Sequence, residues 1–154
     1  MTVNQTMKLF TVEEANASLP LVRAITSDLA DLSARVFQRQ RHFDSVSAGR
    51  ELSTEDGLYS EELVHEQSEL ERQKDRLNEL IDELRDLGAE PKAGPSGAID
   101  LVDFPSQRDE RVVYLCWKLG EDCVEHWHEL DTGFSGRQSL IDVIETPVVD
   151  TPRS

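Results

Sequence analysis

Apolar residues recur at helical spacing through the first half of the chain and at alternate positions through the second. Ala15, Val22, Leu29 and Val36 stand seven residues apart, and Leu19, Ile25 and Leu32 fill the same stripe. That spacing places them on one face of a helix, and the face is expected to be buried. The helix start is marked by Phe10-Thr11-Val12-Glu13-Glu14, in which Thr11 can accept from the third helical amide while Glu14 reaches back, a capping box. Leu19-Pro20 interrupts the pattern. Proline lacks the amide and crowds the preceding turn, so either a kink or a short helix ending near Ser18 and restarting at Pro20 is expected.

Over residues 42–54 the rhythm fails and Ser, Gly and Asp accumulate, which reads as a loop. A second helix is expected from about Glu55 or Leu58 to Leu87, with Gly88 where a left-handed C-cap is wanted. Leu63, Leu70, Leu77 and Leu84 again repeat every seven residues, joined by Leu80, Ile81 and Leu87. Two matching stripes imply an antiparallel hairpin over residues 11–87. Glu66 and Gln73 occupy the seam in the amino-terminal half of the second helix, so that end is either exposed or paired with something polar. Two helices cannot bury both their faces alone. The remainder must meet the carboxy-terminal segment or a second copy of the chain, and a homodimer through the helices is expected.

Glycines and prolines then mark a connector over residues 88–97. Beyond it the period is two. Residues 98–104, 111–119 and 123–130 read as three strands, and Gly120-Glu121-Asp122 as a hairpin loop. That loop sets Leu119 opposite Cys123, Cys116 opposite His126 and Tyr114 opposite His128. Tyr114, Cys116, His126 and His128 then share one face, while Leu115, Trp117, Leu119, Cys123 and Trp127 share the other and pack on the helices. The expected class is α+β: a long kinked antiparallel helical hairpin followed by a small three-stranded antiparallel sheet and turn over residues 98–137. Residues 138–154 are expected as a partly disordered tail, the whole forming a single domain.

Composition narrows the partners. A chain of 154 residues fits one compact core. A formal net charge of -15 would repel a phosphate backbone or an anionic membrane surface, and no Lys/Arg cluster offsets it. Residues 1–10 lack an apolar signal core and no apolar run approaches a membrane span. Neither nucleic acid nor membrane is expected as a partner, and the cytoplasm is the expected location. With two cysteines, a disulfide framework is not expected and the thiols are read as reduced.

Candidate chemistry concentrates in residues 103–137, which hold both tryptophans, both cysteines, two of the four histidines and five of the nine aromatics. Cys116, His126 and His128 are donors for zinc or another divalent transition ion, and a carboxylate such as Glu121, or water, can complete the shell. The spacing is not that of a zinc finger. Histidines alternating on a strand are also what an ordinary solvated face shows, and a one-residue slip would change every cross-strand partner. Gly133-Phe134-Ser135-Gly136-Arg137 reads as a tight turn whose amides and guanidinium suit a small anion, with Asp103 and Tyr114 nearby in the same region as further ligand-binding candidates. The competing reading pairs Arg137 with one of the many acids. Glu62-Leu63-Val64-His65 has the Glu-x-x-His spacing of di-metal bundles but no second copy, so it reads as an ordinary polar helix face. No nucleophile elbow frames any serine.

The chain resembles a bacterial family known as domain of unknown function 2203 over most of its length. The resemblance rests on Phe10-Thr11-Val12-Glu13-Glu14-Ala15-Asn16 with Leu19-Pro20, on Val102-Asp103-Phe104-Pro105, on Tyr114-Leu115-Cys116-Trp117-Lys118-Leu119-Gly120-Glu121, and on Trp127-His128 with the Gly133 to Arg137 string. Asp103, Cys116, Glu121, His128 and Arg137 fall on its motif positions. In similar sequences the position of His126 is more usually aromatic, which moves the expected site toward His128 with Cys116 and a carboxylate. Three functions stay open: a protein binding a transition metal or small anionic ligand at the sheet, a dimeric helical adaptor, and an enzyme using His128 as acid or base with Asp103 or Glu121 orienting it.

Overall fold

A computed structural model of the chain describes residues 8–52 and 57–140, and the side chains of residues 8–48 and 61–140. Two long helices, α1 (Val12–Leu52) and α2 (Gly57–Asp86), precede five strands: β1 (Glu90–Ala93), β2 (Ile99–Arg108), β3 (Arg111–Lys118), β4 (His126–His128) and β5 (Gln138–Ser139). The strands form one sheet in the order β1-β2-β3-β4-β5, each pair antiparallel. The class is α+β, as expected.

The capping box forms at the start of α1, where the Glu14 amide donates to Thr11 Oγ1 at 3.0 Å and the Thr11 amide to Glu14 Oε1 at 3.0 Å. The chain stays helical through Pro20, whose exposed ring faces away from the core. The loop expected over residues 42–54 is helical as far as Leu52, and residues 53–56 lie outside the described part. Serine and glycine cost a helix at most about 1 kcal/mol each, and α2 supplies a packing partner for this stretch. Phe43 packs against the core cluster, and with Val46 and Leu63 it lines a cavity between the helices. α2 ends as expected, with Gly88 at φ 96°.

The connector expected over residues 88–97 contains a strand, β1. Its Pro91 is tolerable because β1 is the sheet edge, where a missing amide leaves no ladder bond unmade. Residues 138 and 139, expected in the tail, add the opposite edge as β5, and the tail beyond residue 140 lies outside the described residues. The sheet therefore has five strands rather than three.

The core lies between α1, α2 and one face of the sheet. Val22 and Leu29 from α1, Leu84 from α2, and Val102, Phe104, Leu115 and Trp117 from the sheet are essentially sealed from solvent. Burying a side chain of this size contributes about 1.5–3 kcal/mol. Long-range polar bonds tie the chain start to the sheet. The Phe10 amide donates to the Pro105 carbonyl at 2.7 Å, Ser106 Oγ donates to the Phe10 carbonyl at 2.6 Å, and the Val124 amide donates to Asn16 Oδ1 at 2.7 Å. These bonds hold β2 and the approach to β4 in fixed positions on α1, and so fix the strands that carry the site.

Along the hairpin, burial is uneven. Residues 37–48 of α1 and 61–69 of α2 contain no fully buried side chain, because the sheet covers only the other end. In this distal half the seam residue Glu66 pairs with Arg39 at 2.7 Å, the polar partner that its place in the seam requires. Among the described residues no helix is long and apolar enough to cross a membrane.

Candidate metal centre

The loop joining β3 to β4 produces the expected register, with Tyr114 opposite His128, Leu115 opposite Trp127 and Cys116 opposite His126. Gly120 at φ 106° makes the turn, and the Trp117 indole donates to the Glu121 carbonyl at 3.0 Å. On the other side of β3, Asp103 of β2 stands opposite Cys116. Alternation then puts Asp103, Tyr114, Cys116, His126 and His128 on the sheet face turned away from the helical core.

That face is not a solvated one. Asp103, Cys116 and His128 are all buried, with His128 and Cys116 each 1% exposed. Their donor atoms lie within 4.8 Å of one another. Around a tetrahedral ion with bonds of about 2.0–2.3 Å, donors sit about 3.3–3.8 Å apart. The trio therefore needs to close by no more than about 1.5 Å to bind such an ion.

His128 shows how the centre is oriented. Its Nδ1 lies 2.7 Å from the Glu129 carbonyl oxygen, an acceptor, so Nδ1 carries the proton and donates. In the neutral ring Nε2 then presents its lone pair, and it faces Asp103 Oδ1 at 3.1 Å. Two acceptors at that distance require something between them, a proton on the ring or on the carboxyl, or a metal cation. A backbone carbonyl fixing one imidazole nitrogen while the other points at a ligand position is the usual outer-shell arrangement of metal-bound histidine. Asp103 Oδ2 in turn accepts from Lys92 Nζ at 3.2 Å. Lys92 lies 5.1 Å above the Tyr114 ring, and Tyr114 is tilted against His128 at 5.5 Å.

Burial, reinforced by the Asp103 carboxylate, pushes the Cys116 thiol up to about 12, against the smaller opposing pull of Arg137. Without a cation the thiol is neutral and is no activated nucleophile. A divalent ion reverses this logic, because a coordinated thiol loses its proton.

Glu121, His126 and Arg137 form a separate group. Glu121 accepts from Arg137 twice, at 2.9 and 2.7 Å, and from the Lys118 amide at 2.9 Å. Burial pushes the Glu121 carboxyl upward, but the hydrogen bonds from Arg137 and Lys118 together with the Arg137 charge outweigh it, holding the group below the usual carboxylate range. Arg137 also donates to the Cys116 carbonyl at 3.4 Å and covers Phe134. The guanidinium expected to face an anion is thus forked onto a carboxylate of its own chain. His126 Nδ1 stays 4.0 Å from Glu121 Oε2 and lacks a hydrogen bond. Neither Glu121 nor His126 joins the trio, whose carboxylate is Asp103, expected as a residue for an anionic ligand.

Sequence reasoning missed Lys92, because it sits in the segment read as a connector. It read Asp103 as a residue for an anionic ligand and, with Glu121, as a carboxylate that could orient His128, and of the two it is Asp103 that meets His128. Asp103 meets Cys116 through a two-residue turn whose Asp109 and Glu110 both have positive φ, 52° and 67°. Such turns favour Asn-Gly or Asp-Gly, and glutamate in the second place conceals the signal.

No curated protein and no solved structure matches the chain. A family model described as "Uncharacterized conserved protein (DUF2203)" matches residues 8–140, which include both helices, all five strands and the trio. The chain belongs to that family.

Proposed function

We propose that this protein binds a divalent transition-metal ion, zinc or one of similar preference, through Asp103 Oδ1, Cys116 Sγ and His128 Nε2. The observation that carries the proposal is the opposition of the His128 Nε2 lone pair and Asp103 Oδ1 at 3.1 Å with a buried thiol alongside. An imidazolium–aspartate pair would account for the first contact but gives Cys116 no part. Carboxylate, thiolate and imidazole together are a donor set for zinc and its neighbours rather than for magnesium or calcium. The reading needs a reduced Cys116. Both cysteines are free, which suits the cytoplasmic location expected from the sequence.

The test is thermal denaturation at rising free zinc. Stabilisation should grow with free zinc over its dissociation constant and should fade as pH drops below the histidine range, since binding requires neutral imidazole and displaces the thiol proton. A melting temperature indifferent to zinc, cobalt and nickel would rule the reading out.

The distal hairpin supports a second element of the proposal, self-association. Phe37 and Val64 are 55% and 63% exposed there, on the part of the helices that the sheet does not cover. Leu29 and Leu70, from the two heptad stripes, are buried within the single chain and so are not on the surface left for a second copy.

A further inference from the structure

Charge balance around the trio points to what completes it. Thiolate and carboxylate together cancel a divalent ion, and neutral imidazole adds nothing. Arg137 is cancelled by Glu121 through two hydrogen bonds. The remaining charge is Lys92, whose ammonium stands 3.2 Å from Asp103 Oδ2. It uses one of its three protons on that oxygen, makes no other hydrogen bond among the described residues, and is 45% exposed over the Tyr114 face. A buried centre with one surplus positive charge favours an anion as its next partner. Among the described residues the cluster contains three possible ligands, as in metal sites that leave a position for an exogenous group.

We infer that a metal ion held by Asp103, Cys116 and His128 takes a small carboxylate as its fourth ligand, with the Lys92 ammonium holding that carboxylate's other oxygen. This rests on the metal reading above. A carboxylate suits the place because it offers one oxygen to an ion and a second to an ammonium in a charge-assisted bond. Lys92 is the solvent-facing member of the network, so its side chain also marks the side from which a ligand enters.

Cobalt(II) with sodium acetate as the probe tests this on the full chain. Cobalt bound by Cys116 gives a thiolate charge-transfer band, which the Cys116→Ser variant should lose, and this reports the metal site alone. Acetate added at constant ionic strength and pH should then change the visible cobalt bands saturably. In Lys92→Ala the acetate dissociation constant should rise about 10-fold or more, and Lys92→Arg should recover part of the loss. Cobalt bands that ignore acetate, or that respond equally in parent and Lys92→Ala, would overturn the inference while leaving the metal reading in place. Failure of the parent to bind cobalt would remove both. Circular dichroism of each variant separates loss of fold from loss of ligand. Should Lys92→Ala fail to fold, Lys92→Gln serves the same comparison.

Discussion

His128 and Asp103 belong to strands that are not paired, β4 and β2, yet His128 Nε2 and Asp103 Oδ1 meet at 3.1 Å over the intervening β3. Cys116 lies beneath that contact because it is the β3 residue paired with Asp103. Three consecutive antiparallel strands each contribute one donor of a different chemical type. The hydrogen bond from His128 Nδ1 to the Glu129 carbonyl then aims the ring.

The first prediction concerns alkaline stability without metal. Burial raises the folded-state value of Cys116 to about 12 from a reference of 9.0. A group raised on folding contributes stability that is fully present below its unfolded value and lost as pH rises toward the folded one. Metal-free parent should therefore lose stability between about pH 9 and 12 more steeply than Cys116→Ala, a difference that cancels the tyrosines and lysines titrating in the same range. Parallel stability curves for the two proteins would show the thiol to be unburied.

Arg137 and Glu121 give a contrasting pair of variants. Glu121→Gln should destabilise the chain by about 1–3 kcal/mol in chemical denaturation, since Arg137 would lose its charged acceptor. The folded value of Glu121 is depressed, so its contribution is present above the ordinary carboxylate range and lost as pH falls through the folded value. The acid limb of the variant should be flatter than that of the parent. Zinc affinity should scarcely change, because Glu121 stands outside the trio. A variant that loses zinc as completely as Cys116→Ser would place Glu121 among the ligands.

Self-association is checked by sedimentation equilibrium. The parent should form dimers that Phe37→Asp or Val64→Asp weakens, because each puts a charge on an exposed apolar position of the distal hairpin without touching the core. A monodisperse parent monomer at high micromolar concentration would count against association through this surface.

The helices were legible in the sequence because heptad spacing and a capping box are local signals. Their extents were less so: residues 42–52 lack apolar rhythm yet are helical, and Phe43 and Val46 of that stretch share a cavity with Leu63 of α2. The β3–β4 register was legible because one glycine-containing loop determines it. β1 was hidden by Pro91, which argues against a strand unless the strand is known to be an edge. The site divided in the same way. Cys116 and His128 follow from one hairpin, whereas Asp103 and Lys92 join them only through β2 and β1, whose pairings depend on the Asp109–Glu110 turn and on a strand only four residues long. Glu121 and Arg137 carry the right chemistry for a ligand site, and only geometry shows them holding each other.

Metal content after equilibration with zinc and removal of loosely bound ion is the most direct test. Elemental analysis should find a stoichiometric ion in the parent and none in the double variant Cys116→Ser with His128→Gln, while both keep the helical circular dichroism of α1 and α2. A parent that retains no stoichiometric zinc, iron, manganese, copper or nickel, or a double variant that retains as much as the parent, would contradict the metal centre.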